Sequence, residues 1–423
     1  MTLRNDVRVL RVRPFRLFWT GQMISSFGDG MVGIVTTFAL LNQGSGVGGL
    51  GVVLGTGMLF RVLASLLGGV TADRVSRRAQ MAAADSVRCA VQLCLAAVAA
   101  SGHATPLALS IGGALYGTAA GFYTPASAGL IPALVKDRSL FQSAAALQSL
   151  TRSSCMIVGP AVAGLLLAKA GAGLVYGIDA ATFAVNATML MRIPATQARG
   201  QRGRTFGTDL VQGWREVTQR RWLSLNLVAH AAWNLGMAAF FVLGPVLAKQ
   251  HLGGSAAWGV VAAGMSAGSL SAGVVALRWR PKRPLVVGNL ALTLGVLPLL
   301  ALRLGLAAPL VAVAAAASNG GVVMLNALWT ATLQRTIPGH VLSRISSYDT
   351  LLSLTTMPLG YALVGPAEQA AGQGGVLLIG VALVSLPSAL VCLLPTVRGM
   401  RADPVQDDGA QGSPSPVPAP TAS

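Results

Sequence analysis

Apolar residues along this chain gather in long, nearly unbroken runs, and arginine and lysine gather in the short stretches between them. Each run is long enough to cross a hydrocarbon core, which takes about 20 helical residues. A backbone in lipid must satisfy its own polar groups, so runs of this length predict helices rather than strands. Twelve are read: 17–41, 50–70, 80–101, 106–131, 143–168 and 172–193, then 223–247, 257–277, 284–303, 307–332, 346–366 and 375–394. The longest polar connection, 194–222, parts them six and six. The expected fold class is an all-α membrane protein of twelve transmembrane helices in two six-helix halves. A cytoplasmic basic arm (1–16) precedes the N-terminal bundle (17–193). The central cytoplasmic loop (194–222) leads to the C-terminal bundle (223–394), and a cytoplasmic tail (395–423) follows.

Three shorter segments add detail. DLVQGWREVTQRRW, in the central loop, has the pattern of an amphipathic helix lying on the inner membrane surface. ADRVSRR and RWRPKRP each follow the second span of a half, the spacing expected of an internal repeat. DPVQDDGAQGSPSPVPAPTAS, from residue 403, has the composition of a disordered tail.

Composition agrees with the pattern. Of 423 residues, 53% are hydrophobic and 10% charged, against about 25% charged in soluble domains. Mean hydropathy is +0.64. A net charge of +18 would suit nucleic acid if it were gathered with aromatic residues on one soluble module. It is instead placed in alternate connections. One set holds the arm (Arg4, Arg8, Arg11, Arg13, Arg16), the 71–79 turn, Lys136, Arg138, the central loop, the 278–283 turn, Arg335, Arg344, Arg398 and Arg401. The other set holds Lys169, Lys249 and Arg303. By the positive-inside rule both termini are cytoplasmic, in a multi-pass protein of the cell inner (plasma) membrane. Lipid, and not nucleic acid, is the expected surround.

Cys89, Cys94, Cys155 and Cys392 lie within apolar runs and form no C-x-x-C pair, so neither a disulfide nor a zinc site is expected. They read as small hydrophobes. The basic arm leads directly into a long span, without the pattern of a cleaved signal peptide. The sequence has no G-x-x-x-x-G-K-[ST] phosphate loop, hydrolase triad or metal cluster, so no enzyme activity and no cofactor are expected. Energy would come from an ion gradient or from the cargo's own gradient.

One polar turn carries more than topology. In GGVTADRVSRRAQ, Gly69, Asp73, Arg74, Arg77 and Arg78 follow the spacing G-x-x-x-D-[RK]-x-G-[RK]-[RK], with Ser76 in place of the second glycine. Lying between spans two and three, this turn resembles the signature loop of the major facilitator superfamily. Other segments resemble its macrolide-efflux and enterobactin-exporter branch of drug:proton antiporters. They are PFRLFWTGQMISSFGDGM, ADSVR, FYTPASAGLIPALV, VGPAVAGLLL, GIDAATFAVNA and TLQRTIPGHVLSRISS. The resemblance covers spans one to eleven. Gly159, Pro160 and Gly164 are similar to the family's antiporter motif, with Cys155 and Ala163 where glycines are common. The resemblance implies alternating access and a gating role for the Gly69–Arg78 turn. Asp73 is expected beside Ser346 at the N-terminus of span eleven, where a helix dipole favours negative charge. Arg77 and Arg78 are expected to pair with acids at neighbouring helix ends. The other reading is that Arg74, Arg77 and Arg78 only fix topology.

Charges inside spans are costly, about 2.5–3.5 kcal/mol for an Asp or Arg at the centre, and each must face protein or water. Asp29 is central in span one and Arg61 is near the middle of span two. They suit either a structural ion pair or a proton-coupling carboxylate tuned by its cation. His230 and Asp179 are the further proton candidates; each also suits a plain packing role. Asp85, Arg88, Arg152 and Asp349 are placed toward the cytoplasm and read as gating residues.

The resemblance also implies a cavity lined by spans one, four, seven and ten. Its candidates are Gln22, Tyr116, Phe122, Tyr123, Asn226, Trp233, Asn234, Asn319, Asn326 and Trp329. Mixed amides and aromatics suit an amphipathic organic cargo. Trp19 and Trp222 read as membrane-interface residues. The expected function is proton-coupled export of drugs, antibiotics or siderophore-like products by a monomer. The alternatives are a facilitator or importer on the same fold, and a non-transporting sensor or lipid-handling protein.

Overall fold

The structure, a computed structural model, describes residues 7–135, 137, 140–194, 215, 217–279, 281–337 and 339–400. The side chains of Asp73, Arg74 and Asp349 and the surroundings of Gly69 fall outside that description. So does most of the expected surface helix of the central loop; its residues 217–219 are helical, and Val217 is buried in a cluster with Leu223.

The long elements are α1 (Arg13–Asn42), α2 (Val47–Arg74), α3 (Arg77–Ala100), α4 (Pro106–Leu134), α5 (Phe141–Met191), α6 (Arg221–Leu247) and α7 (Ser255–Arg278). They continue with α8 (Pro284–Arg303, with a 3-10 turn at Thr293–Gly295), α9 (Ala308–Thr336) and α10 (Gly339–Leu393). Among the described residues all regular structure is helical, and nine helices are long and apolar enough to cross a membrane. Helix starts follow local chemistry. The Ser76 hydroxyl accepts from the Ala79 amide at 3.3 Å to open α3, and the Thr105 hydroxyl accepts from Ala108 at 3.2 Å to open α4. Proline stands in the first two positions of α1, α4, α8 and α9, where its missing N–H costs no helical bond.

Two helices are folded back on themselves. Gly171 in α5 (φ 81°, ψ 172°) and Gly372 in α10 (φ 68°, ψ 169°) take a backbone conformation that is essentially glycine-only. On α5, Gly159 packs on Gly30 and Asp179 packs on Gly28, although 20 helical residues would span about 30 Å if straight. On α10, Gly360 and Gly380 both meet the 235–239 stretch of α6. The chain therefore reverses at each glycine, and each helix forms two antiparallel limbs.

The core is divided unevenly. At the end remote from the first and last described residues, one continuous apolar cluster joins α1, α2 and α3 to α6, α7 and α9, with Met31, Phe38, Leu50, Phe240, Trp258 and Val364 among its members. At the other end, the terminal end, where Val9 and Val397 lie, two separate clusters form among the described residues. One holds Phe15, Phe18, Met81 and Leu190, and the other Leu223, Leu285, Leu333 and Val391. Backbone contacts follow the same division. A Cβ on Gly365 would stand 2.7 Å from Gly48 Cα, and one on Gly164 would stand 2.6 Å from Ser255 O. Ser255 Oγ donates to Gly164 O at 3.1 Å and Ser266 Oγ to Met156 O at 2.7 Å. Small residues let helices approach this closely where lipid offers no competing hydrophobic drive. Among the described residues the apolar core is continuous at the far end and parted at the other.

Candidate functional site: a polar cavity around Asp29 and Arg88

A cavity of about 600 Å³ reaches from mid-depth toward the parted end. Its wall takes Trp19, Gln22, Ser26 and Asp29 from α1, Arg61 from α2, and Arg88 from α3. Tyr116, Tyr123 and Ser127 of α4, and Gln148, Arg152 and Met156 of α5, complete most of it. Its volume lies in the range of sites for drug-sized molecules.

Arg88 organises the wall. Its Nη1 lies 3.3 Å from Asp29 Oδ1, and its Nη2 donates to Asp85 Oδ1. The Arg88 side chain is 3% exposed, Asp85 is 0% and Asp29 is 32%, so only Asp29 of the three opens broadly to the cavity. The Tyr116 hydroxyl donates to Asp29. Asn186 Nδ2 donates to Asp85 Oδ2 at 2.7 Å and to the Tyr123 hydroxyl at 3.0 Å, and that hydroxyl donates to Gln22 Oε1 at 2.6 Å. The guanidinium carbon sits 4.4 Å from the Tyr123 ring centroid and 4.3 Å from that of Phe183, within cation–π range. A charged pair buried in this way is held only when its remaining donors and acceptors are also engaged. Here Tyr116 and Asn186 engage the carboxylates and the two rings cover the guanidinium, while Arg88 Nε is buried without a hydrogen-bond partner among the described residues.

The sequence paired Asp29 with Arg61, but the structure gives Asp29 to Arg88. Arg88 reaches Asp29, whereas Asp85, three residues earlier on the same face of α3, bonds Asn186, which packs on Gly21, nearer the start of α1. Arg61 and Arg152 line the cavity and are exposed within it. Asp179 is fully buried; Gln92 Nε2 donates to it at 2.5 Å and Thr182 Oγ1 at 3.3 Å. His230 is buried against Trp329, ring centroids 5.0 Å apart, and its Nε2 has no hydrogen-bond partner among the described residues.

Of the cavity candidates, Gln22, Tyr116 and Tyr123 line the cavity, whereas Phe122 does not. The expected wall from the second half is not among its lining residues either. Asn226 donates to Trp222 O at 2.7 Å, Asn234 to His230 O at 3.0 Å, and Trp233 to Leu292 O at 3.1 Å. Asn319 donates to Ser269 Oγ at 2.6 Å, Asn326 is exposed, and Trp329 is buried beside Trp222. Trp233 and Asn319 tie neighbouring helices together, Asn226 also accepts from Asn289, and Asn234 bonds within its own helix. Trp19, expected at the membrane interface, instead lines the cavity and donates to Thr151 at 3.0 Å.

At the turn after α2, Arg77 donates to Gly129 O at 2.6 Å and Arg78 to Ile193 O. These are carbonyls near helix C-termini, not the acids expected from the sequence, and the negative end of a helix dipole accounts for the preference. The described atoms do not include the Asp73, Arg74 or Asp349 side chains. Gly159, Pro160 and Gly164 lie where α5 meets α1 and α7: a Cβ on Gly259 would stand 2.9 Å from Pro160 O.

Gln92 and Asn186 hold acids in place and were not singled out from the sequence. The signal was present: Asp85, Arg88 and Gln92 share one face of α3, and Asp179 and Asn186 one face of α5.

Comparison with known proteins supports this architecture. Residues 18–355 match the Major Facilitator Superfamily. The enterobactin exporter EntS of Escherichia coli O157:H7 (strain EC4115 / EHEC) is 28% identical over 432 residues, covering 96% of this chain and 98% of its own. EntS of Shigella boydii serotype 4 (strain Sb227) is 28% identical over 404 residues, covering 90% and 93%. Two solved structures share the fold at low identity. A peptide transporter POT in complex with sulfate has a TM-score of 0.73 at 14% identity, covering 92% of this chain and 95% of its own. The nucleoside transporter NupG has a TM-score of 0.70 at 11% identity, covering 90% and 98%. With a family match over most of its length, a helical architecture and a polar cavity between membrane-spanning helices, this chain belongs to the major facilitator superfamily and is a membrane transporter rather than an enzyme.

Proposed function

We propose that the protein is a secondary exporter of amphipathic small molecules that works by alternating access and proton antiport, with Asp29 as the coupling carboxylate. One observation carries this reading. Asp29 is a carboxylate at mid-depth, open to the cavity, and bonded to a cation that is itself shared with a second acid. Protonating Asp29 would release Arg88 to Asp85 and loosen the contact between α1 and α3. A carboxylate between a wet cavity and a buried guanidinium is placed to exchange protons as access alternates. Export is the direction named for the EntS relatives, whose cargo, enterobactin, is the first compound to test.

Each folded-back helix counts as two spans, and with α4 the nine become twelve, six on either side of the central loop. The positive-inside pattern then sets both termini in the cytoplasm of an inner-membrane protein, a monomer, with the parted end facing the cytoplasm. The Gly69–Arg78 turn, with Asp349, acts at the cytoplasmic gate, and Gly159, Pro160 and Gly164 act at the outer seal. His230 and Asp179 are reserve proton sites.

The test is proteoliposomes under an imposed pH gradient. Asp29→Asn should abolish gradient-driven accumulation of enterobactin while keeping binding and energy-independent exchange. Proton-driven accumulation by this variant at the wild-type rate and stoichiometry would move coupling elsewhere. Loss of folded protein in Asp29→Asn and in Arg88→Asp, rescued by the Asp29→Arg, Arg88→Asp exchange, would favour a purely structural pair.

A further inference from the structure

Three arginines line the cavity, and they are used differently. Arg88 is nearly buried and bound by two carboxylates. Arg61 and Arg152 are exposed in the cavity, and neither forms an ion pair or hydrogen bond among the described residues. Asp29 is the one carboxylate in the described wall, and Arg88 and Tyr116 already hold it. Among the described residues the wall therefore presents two cations without a protein counter-ion.

Topology does not account for this. Arg61 lies in the middle of α2, away from the loops where basic residues set orientation. An arginine at that depth costs about 2.5–3.5 kcal/mol to insert unless it faces protein or a water-filled cavity, and one that faces the cavity marks a path for a ligand. The two arginines come from different sides of the first half. Arg61 is on α2, which packs along α4, and Arg152 is on α5, which packs along α1. Trp19, Tyr116 and Tyr123 add ring surface to the same cavity.

We infer that Arg61 and Arg152 recognise an acidic group on the cargo, whose apolar body rests against the rings of Trp19, Tyr116 and Tyr123. This rests on the cavity being the cargo site. A guanidinium presents a planar fork of donors that matches a carboxylate, sulfonate or phosphate. A ring of the cargo can lie against Tyr or Trp in offset or edge-to-face geometry. Two sources share this chemistry: an aromatic acid and a lysolipid with an acidic headgroup.

The experiment uses purified full-length protein and two dyes of nearly the same shape, 1-anilinonaphthalene-8-sulfonate and its neutral counterpart N-phenyl-1-naphthylamine. Binding is read by titration calorimetry. The sulfonate should bind more tightly, and Arg61→Gln and Arg152→Gln should each weaken it roughly tenfold or more, the scale of one hydrogen bond to a charged group. The neutral dye should be unaffected, and Arg61→Lys should retain part of the sulfonate affinity. Equal binding of the two dyes, or unchanged sulfonate affinity in both glutamine variants, would overturn the inference. Competition then separates the sources. Arginine-dependent displacement by lysophosphatidylglycerol but not by naphthalene-1-sulfonate points to the lipid, and the converse to the aromatic acid. Export is read separately: if the Arg61→Gln, Arg152→Gln double variant accumulates the transported compound normally, the arginine site falls and export stands. Arginine-dependent binding without transport by the wild type leaves the site standing and removes the export reading.

Discussion

Arg88 and Asp29, 59 positions apart in sequence, meet at 3.3 Å in the cavity wall, and the same guanidinium holds Asp85 through its other terminal nitrogen. One cation thus ties α1 to α3 while sharing its charge between an acid that faces water and one that does not.

Removing that cation leaves two acids without it in the first half. Taking one partner from a buried ion pair typically costs about 3–5 kcal/mol. Arg88→Gln should therefore lower the melting temperature and the yield of monodisperse protein in detergent. Adding Asp29→Asn and Asp85→Asn to it should recover much of the loss, because no unpaired charge remains. A thermal-melt cycle across the variants measures this coupling; additive losses would mean that the three side chains do not act together.

The reversals at Gly171 and Gly372 should be sensitive to any side chain. Both have the positive φ and extended ψ that only glycine holds without strain, so alanine at either should cost about 1–3 kcal/mol. Gly177→Ala, in regular helix with open space around it, is the control and should be close to neutral. Thermal stability in detergent distinguishes them.

The contact between Gly164 and Ser255 sets the spacing of α5 and α7 at the sealed end. A Cβ there would already be 2.6 Å from the Ser255 carbonyl, so Gly164→Val should force the helices apart. Val35 is fully buried in the apolar cluster above the cavity. With Gly164→Val, a cysteine at Val35 should react faster with a membrane-impermeant thiol reagent added from the far side. Unchanged labelling would mean that the seal does not depend on that spacing.

Orientation has a direct check. In a background lacking the four native cysteines, Ser45→Cys and His103→Cys at the far-end turns should react with an impermeant reagent outside intact cells. Thr396→Cys, at the terminal end, should react only after lysis. External labelling of Thr396→Cys would reverse the assignment from the basic residues.

The helices and their order were legible because runs of apolar residues carry both length and direction. Even the two reversals were visible as breaks between predicted spans, at 168–172 and 366–375. The identity of Asp29's partner was less legible. Depth points to Arg61, and depth is readable from position in a span. Which way a side chain points around the helix depends on tertiary packing, and that packing brings Arg88, one helix further along, to the carboxylate. The face shared by Asp85, Arg88 and Gln92 was the available clue. The amides of the second half misled for a local reason: Asn226 and Asn234 return to carbonyls four residues earlier on their own helix, which isolated side-chain chemistry does not reveal.

The continuous apolar cluster at the sealed end also bears on leakage. From Asp29 to the last residue of α1 the helix rises about 20 Å, and Met31, Ile34, Val35, Phe38, Leu40 and Leu41 along that length are all buried. A proton approaching from that side meets a dry layer with no titratable side chain on α1 to receive it. If Asp29 couples protons as proposed, this conformation opens the carboxylate toward one end of the bundle only, and an idle protein held in it would not discharge the gradient.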